Sequence, residues 1–138
     1  MTEQAQQPQL TQAQQAEWAR IQFQKANKHL AENGVLFESV VTDESRYLAP
    51  YLAVWKIKAI DGAFYWAISG DLPSDYTALE NAANVKEVLR HFGMTWQLKA
   101  ENLLQAAGDD ATQKEYAELL QNRAESLFAM QNAQQLWG

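Results

Sequence analysis

Apolar residues recur along this chain with two periods, and the change from one to the other marks out its elements. Ala19, Phe23, Ala26 and Leu30 return at helical spacing, with Trp18 and Ile21 widening the stripe. Thr11 followed by Gln14 makes a capping box and Gly34 after Asn33 makes a stop, so a helix is expected over 12–33. Val35–Val41 is short, β-branched and partly alternating, which predicts a strand. Thr42–Ser45 is turn chemistry. Arg46–Tyr51 is ambiguous, and Pro50 suits a lead-in to the next strand better than a place inside one.

The strongest pattern lies between Trp55 and Ile68. Asp61-Gly62 is a two-residue turn signal, because a type I′ turn needs positive φ at both central positions. With those two residues as the loop, Ala59 pairs with Phe64, Ile57 with Trp66 and Trp55 with Ile68. One face would then carry Trp55, Ile57, Phe64, Trp66 and Ile68, and the other Lys56, Lys58, Tyr65, Ala67 and Ser69. Three antiparallel strands are expected, near 35–41, 52–60 and 63–69.

Gly70–Asp75 breaks the sheet, with Leu72 held extended by Pro73. Thr77 with Glu80 suggests a first helical turn, and Asn84 with Glu87 a second cap. From Val85, the positions Val88, Leu89, Phe92, Trp96, Ala100 and Leu103 form a long helical stripe. Gly93 within it marks a kink or a close helix contact. Gly108 ends this helix, and Thr112 with Glu115 opens another carrying Tyr116, Leu119, Leu120, Leu127 and Met130. The expected fold is α+β: an N-terminal helix, a three-stranded antiparallel meander, then two or more C-terminal helices packed on one sheet face. A mostly helical bundle with a single hairpin is the alternative if 35–41 stays unpaired.

With 138 residues the chain is expected to form one domain over 11–138, behind a flexible Gln-rich tail at 1–10. The net charge of −6, without a basic run, argues against nucleic acid and anionic membranes as partners. No window holds the roughly 18 apolar residues of a membrane span. The first residues have no basic, apolar leader pattern, so a cytoplasmic location is expected. There is no cysteine, which removes disulfides, thiolate nucleophiles and Cys-ligated metals. The two histidines, His29 and His91, are far apart in sequence, so no metal site or cofactor is expected.

Candidate chemistry is sparse. Asp71 and Asp75 could act as acid and base or bind a cation, although a turn and a helix cap are the commoner uses of such aspartates. Arg90 and His91 stand together on the long helix and would face that loop across a cleft. Lys56, Lys58 and Tyr65 would form a basic and aromatic patch for an acidic protein segment or an anionic small molecule, unless that face is merely solvated. No serine has a nucleophile-elbow context. Trp137 is either folded back or left for a partner.

The blocks RYLAPYLAVWKIKA, YWAISGDLPSDY and VLRHFGMTWQLKAENL resemble the core of a family of small uncharacterised bacterial proteins, a domain of unknown function. The resemblance covers residues 45–104 and lies in the order of the blocks. It draws attention to Gly70, Asp71, Pro73, Asp75, Arg90 and His91, and it implies no reaction. The family pattern usually has Thr where Ser74 stands and often His at Tyr76, which weakens any idea that the loop's third polar group is essential. The reading that results is a binding or protein-interaction domain without catalysis, with a homodimer as one expectation. The alternative is a small-molecule-binding protein or hydrolase-type enzyme with a cleft between the 70–76 loop and the helix of Arg90 and His91.

Overall fold

Helices cover both faces of one antiparallel sheet, and the limits of that cover decide where the surface stays open. The computed structural model describes residues 10–132, so the expectations for the first nine residues and for Trp137 lie outside it. Helix α1 (Gln12–Glu32) is followed by β1 (Phe37–Val40), β2 (Arg46–Leu48), β3 (Leu52–Ala59), β4 (Phe64–Gly70) and β5 (Asp75–Ala78). Helices α2 (Val85–Ala107) and α3 (Ala111–Asn132) complete the order. The fold is α+β, as the periodicity predicts, but the sheet has five strands where a three-stranded meander is expected.

Strand β3 is the axis of the sheet. It pairs with β4 along one edge and shares the other between β1 and β2, while β5 extends the sheet beyond β4. Arg46–Leu48 thus proves to be a short strand, and Pro50 lies in the turn leading from it into β3. Residues 75–78 correct the expected helical turn at Thr77. They pair with β4, Asp75 opposite Ile68 and Thr77 opposite Trp66, and a short 3-10 turn comes next at Leu79–Asn81.

The β3–β4 register is one residue away from the expected one. Lys56 stands opposite Trp66, Trp55 opposite Ala67 and Val54 opposite Ile68. The loop holds three residues, Ile60 to Gly62. The Gly62 amide donates to the Ala59 carbonyl at 2.9 Å and Gly62 takes φ +89°. This is a three-residue loop closed by a left-handed glycine, a hairpin that Asp-Gly also serves. The slip moves Trp55 and Ile57 to the face of Tyr65, Ala67 and Ser69, and moves Lys56 and Lys58 to the face of Phe64, Trp66 and Ile68. Simple alternation misleads here because Leu52, Ala53 and Val54 are all buried in succession, as strands covered on both sides are.

Helix α1 packs on the first of these faces, with Ala26 and Leu30 against Ile57, Ala59 and Ala67. Phe23 meets Phe37 and Trp55 edge-on at 5.2 and 5.3 Å. Inside this layer the Trp55 indole donates to Ser69 Oγ at 3.3 Å, and Ser69 donates to the Gln22 carbonyl at 2.8 Å. Helices α2 and α3 pack on the opposite face, where Leu52, Val54, Trp66 and Ile68 meet Leu89, Phe92, Trp96, Leu120 and Leu127. Asn84 caps α2 by accepting from the Glu87 amide, as its spacing predicts. Asp110, not Thr112, caps α3, accepting from the Gln113 amide at 3.1 Å. Gly93 marks a close helix contact, because a Cβ there would lie 2.9 Å from the Phe128 ring.

Candidate functional site

The sheet's second face is covered unevenly, and the depressions lie where cover stops. At the β4 end, Gly70 adopts φ +138° while the chain passes so close to Tyr51 that a Cβ would sit 2.5 Å from its carbonyl oxygen. That approach lets the Asp71 amide donate to the same carbonyl at 2.9 Å. It presses the β4–β5 loop, residues 71–74, against the turn between β2 and β3, and α3 lies across that turn. The result is an open apolar groove of about 360 Å³, lined by Leu48, Ala49, Tyr51, Ser126, Ala129 and Met130. A smaller pocket of about 80 Å³ shares Tyr51, Ser126 and Met130 with it and adds Asp71, Leu72 and Arg123.

Arg123 joins loop to helix. Its Nε donates to the Asp71 carbonyl at 2.9 Å and its Nη1 to Asn122 Oδ1 at 2.6 Å. Its Nη2 is 3.9 Å from Asp71 Oδ1, beyond hydrogen-bond reach. The loop is therefore bonded by Arg123 of α3, a residue not among the expected site residues. Arg123 was legible as a charge at helical spacing between Leu120 and Leu127, an unusual place on an apolar stripe.

Asp75 has another job. Its Oδ2 accepts from the Trp96 indole at 2.9 Å and its Oδ1 from the Tyr76 amide at 2.8 Å, tying an edge strand to α2. It sits in a strand, so the expected helix-cap role is also overturned. His91 precedes Trp96 by five residues, which is about 140° around a helix and about 7.5 Å along it. The His91 ring packs against Phe92 at 5.2 Å, and no hydrogen bond joins it to Asp75. Arg90 is exposed on α2, with no hydrogen bond or ion pair among the described residues.

The expected patch of Lys56, Lys58 and Tyr65 is divided by the register. Tyr65 faces the α1 side, where it meets Tyr76 at 6.0 Å, and Tyr76 meets His29 at 5.8 Å. Lys56 and Lys58 lie on the α2 side beside carboxylates of this chain, Lys56 3.0 Å from Glu44 and Lys58 3.6 Å from Glu38. The Lys56 ammonium also stands 5.7 Å from the Phe64 ring and 5.9 Å from that of Trp66. A cleft of about 270 Å³ including Glu44, Arg46, Trp66 and Lys86 opens on one side of that ion pair. Another of about 380 Å³, including Lys56, Glu80 and Glu87, opens on the other. An acidic segment would have to displace Glu38 and Glu44 to reach the lysines.

Among the described residues, no group of three or more His, Asp or Glu side chains could hold a metal ion. No helix among them is long and apolar enough to cross a membrane. The architecture is a three-layer α+β domain with helices on both faces of an antiparallel sheet and surface clefts at its ends. The chain belongs to a family described as a domain of unknown function (DUF4826), whose model matches residues 12–137. No curated protein and no solved structure matches it.

Proposed function

We propose that this chain is a binding domain without catalysis of its own, seating its ligand in the groove between the β2–β3 turn and α3, with the adjoining pocket at Asp71 and Leu72 as part of the seat. The observation that carries the reading is the groove itself. It is an apolar depression of about 360 Å³ with a charged arginine in the adjoining pocket, the pairing of apolar lining and few polar groups that marks ligand sites. This keeps the loop's share in the site and replaces Arg90 and His91 by Arg123 and Ser126. The proposal includes a cytoplasmic location, for which the cysteine-free composition is the support. A fragment screen by ¹H–¹⁵N NMR tests it. Shifts should concentrate at Tyr51, Leu72, Arg123, Ser126 and Ala129, and shifts confined to other faces would sink the groove as the seat.

A second reading, the homodimer, draws on one observation. Leu36 and Ile60 are 52% and 61% exposed and adjoin through the bond from the Ile60 amide to the Leu36 carbonyl, next to the outer edge of β1. Sedimentation equilibrium decides it, because a strict monomer at high concentration rules it out.

A further inference from the structure

We infer that the groove takes an amphiphilic carboxylate, an unbranched aliphatic chain ending in one carboxylate, with the tail along α3 and the head on Arg123. The inference rests on the groove being the binding seat and adds the class of ligand. The tail half is argued from the lining, since Leu48, Ala49 and Ala129 offer it no charge. An aliphatic chain sheds water there without leaving any polar group of its own unpaired.

The head half is argued from how Arg123 is held. Two of its nitrogens are fixed by short bonds, Nε on the Asp71 carbonyl and Nη1 on Asn122. The guanidinium plane is thus positioned before any ligand arrives. Nη2 has no acceptor within hydrogen-bond reach among the described residues, the Asp71 carboxylate being 3.9 Å away. That carboxylate is 77% exposed and can swing into solvent. A ligand carboxylate can bond Nη2 end-on, where an alcohol offers only a weak neutral acceptor and an amine is repelled. Ser126 lines both depressions, and its hydroxyl, which donates to the Asn122 carbonyl at 3.2 Å, can turn to donate to the same head group.

The test titrates the full chain with decanoate, decanol and decylamine, each below its micelle concentration, following the backbone amides by NMR. Decanoate should move the signals of Tyr51, Arg123, Ser126 and Ala129. Arg123→Met should weaken it about tenfold, and Arg123→Lys should fall between, since a point charge replaces the planar fork. Asp71→Asn should strengthen it by removing the competing carboxylate. Ala129→Trp, at an exposed helical position, should block all three ligands without unfolding the domain. If decanol binds the groove as tightly as decanoate and Arg123→Met changes neither, the carboxylate assignment is overturned while the groove stands. If no ligand moves the groove signals, or decanoate binds the Ala129→Trp variant unchanged, the assignment and the groove both fall.

Discussion

The indole nitrogen of Trp96 donates to the carboxylate of Asp75 at 2.9 Å, joining the middle of α2 to the first residue of an edge strand. Trp96 is buried to 1% exposure, so its N–H has no water to turn to if the partner is lost. The same carboxylate also takes the Tyr76 amide. A residue with the look of an acid–base candidate is thus a strut.

Asp75→Ala should cost about 2 kcal/mol, because it leaves the indole N–H buried and unpaired. Asp75→Asn should cost less, since the amide oxygen still accepts. Urea denaturation of Asp75→Ala, Trp96→Phe and the double variant measures the coupling, expected at about 1 kcal/mol or more. Two losses that simply add would refute the strut.

Gly70→Ala should be among the most damaging single changes, at about 3 kcal/mol or more. The new Cβ would meet backbone, Tyr51 O at 2.5 Å and Leu52 Cα at 2.7 Å, in a conformation already rare for L residues. Gly62→Ala is the control. It has positive φ but nothing within 4 Å, so only the left-handed penalty of about 1–2 kcal/mol applies. Comparable midpoints for the two variants would contradict the close approach.

Gly93→Ala should lower the melting temperature although alanine favours helix by about 1 kcal/mol. The Cβ would press on the Phe128 ring from 2.9 Å. In a Phe128→Leu background the same change should become stabilising, and a destabilisation unaltered by that background would point to some other cause.

Gln22→Met should be neutral or stabilising by about 1 kcal/mol, since the buried Gln22 Oε1 has no hydrogen-bond partner. Thermal unfolding checks this. A loss of more than about 1 kcal/mol would mean that the amide is satisfied after all.

Glu17 bonds Arg20 on the exposed side of α1, and that hydrogen bond holds its carboxyl below the ordinary glutamate range. A lowered folded-state value contributes stability above the ordinary glutamate value, and the contribution is lost as pH falls through the lowered one. Both groups are fully exposed, so the effect is small. Glu17→Gln should leave stability at neutral pH almost unchanged, and an NMR titration should show Glu17 protonating below the ordinary glutamate value.

The features legible along the chain were local ones. The caps at Thr11 and Asn84, the stops at Gly34 and Gly108, the stripes of α1 and α2 and the existence of the hairpin all come from neighbours a few residues apart, whose geometry is set by backbone chemistry. Contacts between distant parts of the chain set the rest. The register of β3 on β4 depends on which faces are buried, and with helices on both sides alternation no longer points inward or outward. Asp75–Ala78 became a strand because β4 had an open edge beside it, against its own turn-like composition. The pocket adjoining the groove joins Tyr51, Asp71 and Arg123, whose neighbourhood is made by three separate elements meeting in space and leaves no trace in spacing.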